Sequence, residues 1–248
     1  MINSVRNTVL SILNKNNYGY ISPSDFNLYA KQAQIEIFEG YFSNYNLQVS
    51  KENARMSGTG YADLKQTIEE AMEVFLVPET SLVQVAPGTN EFYLPSLITV
   101  GNDYFMVNKI LCYDVQGLVS TFKGEAEKVS HSKITSLITS NLTAPSETFP
   151  AYTQQGLTVK VYPDTFNGVG EVKCVYFRYP LDPKWTYVTL LNGEPSFDQS
   201  QPDYQDFELP YEDEIRLVTK ILKYAGVSIR ETEAVQFAKL DEQQQNAQ

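Results

Sequence analysis

The sequence predicts an α+β protein in which N- and C-terminal helices form a helical body and an antiparallel β-rich domain is inserted between them. Apolar residues recur at helical spacing over residues 1–78, in short alternating runs over 79–208, and again at helical spacing over 209–248. The 248 residues are 42% apolar and 20% charged, which is enough to build a sizeable core. We therefore expect an N-terminal helical part (1–78), a β-rich inserted domain (79–208) and C-terminal helices (209–248).

The first part predicts three helices. Residues 2–14 carry apolar residues at helical spacing, and ADLKQTIEEAMEVF predicts a third helix that Pro78 ends. Between them, Ser22 is a suitable N-cap for a helix that begins at Pro23 and has Asp25 in its first turn. This second helix is apolar on more than one side and carries Phe26, Tyr29, Phe38, Tyr41 and Phe42, so it needs more neighbours than a small domain usually supplies. The alternative is that both helical ends pack together and bury Phe26, Phe38 and Ile221 inside one chain.

The middle part predicts mostly antiparallel strands. Two short strands flank a Pro-Gly turn in SLVQVAPGTNEFYLPS, a longer strand covers DYFMVNKILCYDVQG, and a short helix covers EKVSHSKITSLITSN. A loop, LTAPSETFPAY, follows, and then GLTVKVYPD and GEVKCVYFRYP predict a hairpin across TFNGVG. Cys112 and Cys174 lie in apolar runs, so we expect two buried free thiols.

The last part predicts two helices separated at Gly226. EDEIRLVTKILKYAG is apolar on one face, with Gly226 as a C-cap candidate, and Ser228 with Glu231 forms a second capping box. The helix predicted after it has little apolar surface, which is limited to Ile229, Val235, Phe237 and Leu240. Alone, such a segment should fray, so it is either a disordered tail or a segment that orders against a partner.

The charge of the chain excludes one class of function. The net charge is −11, so the chain should not bind nucleic acid by neutralising phosphates, which needs clustered Lys and Arg. An acidic surface would instead repel DNA, as suits a wall that DNA slides past. No window is long and apolar enough to span a membrane, and we expect a soluble protein made in a cytoplasm.

No motif predicts catalysis. His131 is the single histidine, and GxSxG, GxGxxG and CxxC are all absent. The carboxylate pairs Glu69-Glu70 and Asp213-Glu214 lie on predicted helices, where neighbouring acids usually form a solvated face. We expect no enzyme and no catalytic, metal-binding or cofactor-binding residues. A less favoured class is a carbohydrate-active or carbohydrate-binding protein in which surface Trp185 and Tyr187 stack on sugars.

Three stretches carry a family resemblance: YGYISPSDFNLYAKQAQIEIFEGYF, FPAYTQQGLTVKVYPD followed by VYFRYPLDPKWTYV, and DFELPYEDEIRLVTKILKYAGVSIRETEAVQFA. Together they resemble head-to-tail connector proteins, the portal adaptor or ring proteins of tailed bacteriophages, and are most similar to those of crAss-like phages. The resemblance covers both helical ends and the later β part. The β content between the helices departs from the smallest adaptors, so which ring of the neck it resembles stays open.

The resemblance implies a virion structural protein located in the neck or tail region. Identical copies would form a closed ring that binds the portal protein on one side and other ring or tail proteins on the other. In such a ring, the helix that begins at Pro23 would pack against a neighbouring subunit through Phe26, Tyr29, Phe38, Tyr41 and Phe42. DNA would pass through the ring without sequence-specific binding, and no membrane or cofactor is implied. The portal-docking segment carried over from the family is Ser228 to Gln248, with the apolar contacts Ile229, Val235, Phe237 and Leu240. Another virion part, such as a tail tube, hub or stopper, is the alternative within this class.

Overall fold

The computed structural model describes residues 1–15, 21–55, 63–96, 101, 103–117, 119–191 and 193–229. These residues form two compact units. The helical unit comprises the described residues of Met1–Val74 and Pro180–Gln248, and the β unit is Phe75–Tyr179. The α+β class is therefore confirmed. The units differ from the predicted ranges mainly at residues 180–208, which lie with the helices because Trp185 and Phe207 are buried there.

The helices described in the chain are α1 (Ile2–Lys15), α2 (Pro23–Arg55), α3 (Asp63–Glu73), α4 (His131–Thr139) and α5 (Glu214–Ile229), with a 3-10 turn at Tyr211–Asp213 before α5. The N-cap predicted for α2 is confirmed. The backbone N–H of Asp25 donates to Ser22 Oγ at 3.1 Å, and Ser22 Oγ donates to the Asp25 carboxylate at 2.6 Å. One unpaired N–H at the helix start is thereby satisfied, which fixes where α2 begins.

Helix α2 packs against α5 inside a single chain. Phe26, Phe38 and Ile221 are all buried in the helical unit, so the alternative in which the two helical ends pack together is confirmed for these residues. The broad apolar surface of α2 follows from contact with both α3 and α5.

The C-cap predicted at Gly226 is wrong, because α5 continues without a break to Ile229. Ile221 and Ala225 are fully buried, and Tyr224 stacks on Tyr29 of α2. This packing holds the last turns of α5 in place, and it outweighs the roughly 1 kcal/mol that a glycine costs inside a helix. Ser228 therefore lies in the last turn of α5, and the capping box predicted for it with Glu231 extends beyond the described residues.

Ten strands are described. They are β1 (Leu76–Ser81), β2 (Val83–Gln84), β3 (Glu91–Tyr93), β4 (Tyr104–Gln116), β5 (Val119–Lys128), β6 (Ala151–Gln155), β7 (Thr158–Tyr162), β8 (Val172–Arg178), β9 (Tyr187–Thr189) and β10 (Pro195–Phe197). The first eight form the sheet of the β unit in the order β1-β8-β4-β5-β6-β7-β3-β2, and β9 pairs with β10 in the helical unit.

The large sheet is mixed, so the predicted antiparallel arrangement is not confirmed as a whole, although most of its strand pairs are antiparallel. Strands β5 and β6 pair in parallel through Glu127 and Lys128, whereas the other pairs in the sheet are antiparallel. A parallel pair needs a long crossover, and residues 129–150, which include α4, supply it.

The hairpin predicted between GLTVKVYPD and GEVKCVYFRYP is also wrong. Strand β7 pairs with β6 and β3, and strand β8 lies between β1 and β4. In the connection between β7 and β8, Phe166 is buried in the core and the Asn167 carbonyl accepts a hydrogen bond from Gln84, whereas Val169 is exposed. Strands β4, β5 and β6 lie between β8 and β7 in the sheet.

One apolar core fills the β unit. The two edge strands β1 and β2 are consecutive in the chain, and Leu82 between them donates its N–H to the Val172 carbonyl at 2.9 Å and is buried. Cys112 and Cys174 are buried free thiols, as predicted, and burial raises the pKa of each to about 12.

Gly124 in β5 has no room for a side chain. A Cβ at this position would lie 2.6 Å from the Thr148 carbonyl oxygen and 3.0 Å from Cδ of Pro150. We expect Gly124→Ala to lower the free energy of unfolding by about 1–3 kcal/mol, measured by urea denaturation, because the contacts are with backbone and a proline ring. The control is Gly40→Ala in α2, where a Cβ meets nothing within 4 Å. It should raise stability by up to about 1 kcal/mol. Equal effects of the two changes would contradict the close approach at Gly124.

Candidate interaction site

Trp185 anchors the β9–β10 hairpin to the helical unit. Its side chain is only 2% exposed, and its ring stacks with those of Tyr187 and Phe197 at centroid distances of 5.6 and 5.9 Å. The guanidinium carbon of Arg6 lies 3.8 Å from the centroid of the indole, and the indole N–H donates to Asn3 at 3.1 Å. The base of the hairpin is thus held by stacking, a cation–π contact and a hydrogen bond together.

Two polar side chains of α2 bind the segment that leads into and out of this hairpin. Asn27 accepts the backbone N–H of Trp185 at 2.8 Å and donates to its carbonyl at 3.2 Å. Gln34, which is buried, donates to the Leu181 carbonyl at 2.7 Å and accepts the Glu208 N–H at 3.1 Å. The two amides pair with backbone groups on both sides of the hairpin, so the segments that lead into and out of it are held along α2.

Asp206 joins the same segment to the beginning of the chain. Its carboxylate accepts from the Met1 ammonium at 3.0 Å and from the N–H groups of Ile2 and Phe207 at 2.7 and 2.8 Å. Burial tends to raise the pKa of this carboxyl, but these charge-assisted and backbone hydrogen bonds outweigh it, and the net pKa is lowered.

The tip of the hairpin is apolar and exposed. Leu190 is half exposed and Leu191 is fully exposed, and Val188 on the adjoining strand is also exposed. Gly193 has a positive φ of 84°, and its N–H donates to the Leu190 carbonyl at 2.9 Å. Two adjacent exposed leucines are a surface feature that proteins commonly use for contact with a partner.

A groove lies between α2, α3 and the 3-10 turn of the helical unit, with a volume of about 340 Å³. Tyr41 and Asp213 lie at the groove, and the Tyr41 hydroxyl donates to the Asp213 carboxylate. The other carboxylate oxygen accepts from Arg216 at 2.7 Å. The remaining lining is partly apolar and partly acidic: Asn44, Thr67, Ile68, Glu70, Ala71, Pro210 and Glu212.

The predicted solvated position of Asp213 is wrong, because the residue is buried. A carboxylate is stable there because it accepts hydrogen bonds from two side chains, one of them cationic. Burial, and then the neighbouring Asp213 carboxylate, raise the pKa of Tyr41 far above its usual value. Glu69 and Glu70 are exposed as predicted.

Glu36 of α2 binds the cationic face of α5. It accepts from Lys220 at 3.0 Å and from the Tyr224 hydroxyl at 2.9 Å, and Lys223 is 3.8 Å away. Burial tends to raise the pKa of Glu36, but the hydrogen bonds and the two lysines lower it overall. This cluster, with the stacked rings of Tyr29 and Tyr224 at 6.5 Å, holds α2 and α5 together near the end of α5.

We expect Glu36→Gln to lower stability by about 1 kcal/mol or less at pH 7, since the glutamate is about one-third exposed. Because the folded pKa is lowered, the charged group stabilises the fold above the unfolded pKa of about 4.3, and the effect disappears as the pH falls through the folded pKa. The measurement is the urea midpoint of both proteins at pH 7 and pH 3. The control is Glu39→Gln, an exposed position on the same helix. A loss at pH 3 as large as at pH 7 would contradict this assignment.

The residues predicted for subunit packing already have partners within the chain. Phe26, Phe38, Tyr41 and Phe42 are buried, and Tyr29 stacks on Tyr224. A role for these five residues between subunits stays a prediction.

The predicted portal-docking residues lie at and beyond the end of α5. Ser228 and Ile229 belong to its last turn, and their side chains are outside the described residues, as are Val235, Phe237 and Leu240 altogether. Their role in docking stays a prediction.

The sites considered for other functions have structural explanations. His131 is exposed, and its Nε2 lies 3.2 Å from the Gln154 carbonyl oxygen, as expected for a surface histidine. Trp185 is buried, so the prediction that it is a surface platform for sugars is wrong, although Tyr187 is exposed. Among the residues that the structure describes, no cluster of three or more His, Cys, Asp or Glu side chains could hold a metal ion.

Sequence reasoning missed both the groove and the hairpin tip. The hairpin had a signal, because Asn-Gly between two short runs, in YVTLLNGEPSF, is a common turn sequence. No sequence pattern indicated the groove, because the residues that line it come from segments far apart in the chain.

Comparison with known proteins gives no family. No protein-family model matches the chain, and no curated protein sequence is significantly similar to it. Within the described ranges, none of the helices has the length and apolar character needed to cross a membrane.

Proposed function

We propose that this chain is a virion structural protein, a head-tail adaptor of a tailed bacteriophage that forms a ring between the portal and the tail. The observation that carries the proposal is the pairing of α2 with α5. The first and last of the stretches that resemble connector proteins contribute these two helices, and they pack into one unit. Helix α5 is held to α2 up to its last turns and leads directly into residues 230–248. A helix that is held in place and leads into such a segment is a suitable base for docking on a partner.

In this proposal the β unit is a domain inserted between the helical ends. The chain leaves the helical unit after Val74 and returns to it at Pro180, and the described helices before and after the β unit pack in one set. Such an insertion can contact a further neck or tail protein while the helical unit forms the ring.

The charge of the chain supports the same proposal. A net charge of −11 disfavours adhesion to DNA, and low adhesion is what a channel wall requires during ejection. The alternative within the virion remains a tail tube, hub or stopper. Such a protein would differ from a portal adaptor in the virion protein that it binds. The sugar-binding alternative loses support because Trp185 is buried.

The experiment that tests docking compares binding of the full chain and of a chain ending at Ile229 to the portal protein of the same phage. We expect the shortened chain to bind at least about tenfold more weakly, a change of about 1.4 kcal/mol. Its fold should be intact, because the α5 residues that are buried in the helical unit, among them Ile221 and Ala225, are retained. A point variant refines the test, with Phe237→Ala expected to weaken binding and Gln236→Ala to leave it unchanged. Equal binding by the full and shortened chains would contradict docking through this segment.

A further inference from the structure

The chain contains two Asn-Gly pairs, Asn167-Gly168 and Asn192-Gly193. Asparagine followed by glycine is especially prone to lose its side-chain amide. The backbone nitrogen of the glycine attacks the Cγ atom of the asparagine, and glycine has no Cβ to obstruct that approach. The surroundings of the glycine nitrogen therefore influence how fast each pair reacts.

The Gly168 nitrogen is bound to a carboxylate. Its N–H donates to Oε2 of Glu171 at 2.7 Å, and the Glu171 carbonyl accepts the N–H of Tyr113 in β4 at 2.7 Å. The carboxyl group lies directly against the glycine, because a Cβ at position 168 would be no more than 3.0 Å from all three carboxyl atoms. Glu171 is thus held to the sheet by its backbone, and its side chain is in contact with the proton that the reaction removes.

The side chain of Asn167 is accessible for the same reaction. Asn167 is exposed, and within the part of the chain that the structure describes its amide group forms no hydrogen bond. Its backbone is held, because its N–H donates to the Thr165 carbonyl at 3.0 Å and its carbonyl accepts from Gln84. The pair therefore combines a nitrogen and a base that are held together with an amide that water can reach.

We propose that Asn167 is a site of self-catalysed deamidation in which Glu171 is the general base. The Glu171 carboxylate takes the proton of the Gly168 N–H as the nitrogen attacks the Asn167 Cγ, and a succinimide ring closes. The bond from Cγ to the amide nitrogen breaks, and that nitrogen takes up the proton from Glu171 and leaves as ammonia. One water molecule then adds to either carbonyl of the ring, which yields aspartate or isoaspartate at position 167.

Either product changes the connection between β7 and β8. Aspartate adds one negative charge to a chain that is already acidic, and isoaspartate also adds one carbon to the main chain directly after the buried Phe166. Since the reaction consumes only water, the products should accumulate with time in the purified chain. The proposal does not depend on the proposed ring function.

The second Asn-Gly pair is a control inside the same molecule. The Gly193 N–H donates to the Leu190 carbonyl oxygen at 2.9 Å, and a backbone carbonyl is not a base at pH 7. Asn192 itself lies outside the described residues. We expect Asn167 to react at least about tenfold faster than Asn192 in the folded chain, since a positioned general base supplies that much or more. In urea, where neither pair keeps its surroundings, the two rates should be similar.

Peptide mass spectrometry of the full-length chain, incubated at pH 7 for increasing times, measures both sites. Trypsin releases residues 161–173, which contain Asn167, and residues 185–216, which contain Asn192. The decisive variant is Glu171→Gln, because its amide oxygen can still accept the Gly168 N–H but is not a base. We expect it to slow the reaction at Asn167 at least about tenfold and to leave that at Asn192 unchanged. The matched control is Glu127→Gln, an exposed position in the same unit, which should change neither rate.

Three results would overturn the proposal. Reaction at Asn167 no faster than at Asn192 in the folded chain would mean that the hydrogen bond protects the Gly168 nitrogen. Equal rates at Asn167 in the wild type and in a folded Glu171→Gln variant would mean that the carboxylate is not the base. An excess of reaction at Asn167 that persists in urea would mean that the local sequence sets the rate and the fold does not.

Discussion

Trp185→Ala is expected to lower the free energy of unfolding of the helical unit by about 3–5 kcal/mol. The change removes a fully buried ring that stacks on Tyr187 and Phe197, and it leaves a cavity. It also removes the ring face over which the buried Arg6 lies at 3.8 Å, so a cation loses its main apolar contact. The hairpin should lose its fixed base as a result.

Trp185 is the single tryptophan of the chain, so its fluorescence reports on the hairpin base in the wild type. The Trp185→Ala variant has no tryptophan, so its unfolding is followed by the circular dichroism of the helices. The control is Trp185→Phe, which keeps an aromatic ring but loses the hydrogen bond to Asn3, and we expect it to cost about 1–2 kcal/mol. A loss below about 1 kcal/mol for Trp185→Ala would mean that the ring is not part of the core.

Asp213→Asn is expected to lower stability by about 2–3 kcal/mol. The carboxylate is buried and accepts from both the Tyr41 hydroxyl and Arg216. Asparagine keeps the shape, but it removes the charge that pairs with Arg216 and offers one acceptor oxygen to two donors. The measurement is the urea midpoint at pH 7.

Tyr41→Phe is the matched control for this pair, because it removes only the hydroxyl and should cost about 1–1.5 kcal/mol. The double variant should cost less than the two single changes together, since the residues share one hydrogen bond. Strict additivity would contradict the direct interaction between Tyr41 and Asp213.

Residues that are adjacent in the sequence predicted where helices and turns begin better than they predicted which strands pair. Ser22, Pro23 and Asp25 define the beginning of α2 because a cap depends on residues adjacent in sequence. The strand pair around the Pro-Gly turn was predicted correctly for the same reason, and β2 pairs with β3.

Contacts between residues that are far apart in the sequence determine the features of the fold that sequence patterns did not predict. Gly226 predicted a helix end, yet burial of Ile221 and Ala225 carries α5 past it. Strands β7 and β8 do not form a hairpin, since β4, β5 and β6 lie between them in the sheet and the Phe166 side chain of their connection is buried in the core. Strand β5 was not predicted at all, since VSTFKGEAEK carries polar and charged residues at most of its positions.

The candidate site depends on the same kind of long-range contact. Trp185 carries no sign of burial in its sequence neighbourhood, and its partners Arg6 and Asn3 lie near the start of the chain. Asp213 follows another acid and precedes a third, which is typical of a solvated helix start, but Tyr41 and Arg216 hold it inside. Neither contact follows from spacing in the sequence.

The measurement that tests the proposed virion role most directly is quantitative mass spectrometry of gradient-purified particles of the phage. The account predicts that the chain is present at a low and fixed copy number per particle, far below that of the major capsid protein, and in constant ratio to the portal protein. Absence of the chain from purified particles would contradict the account.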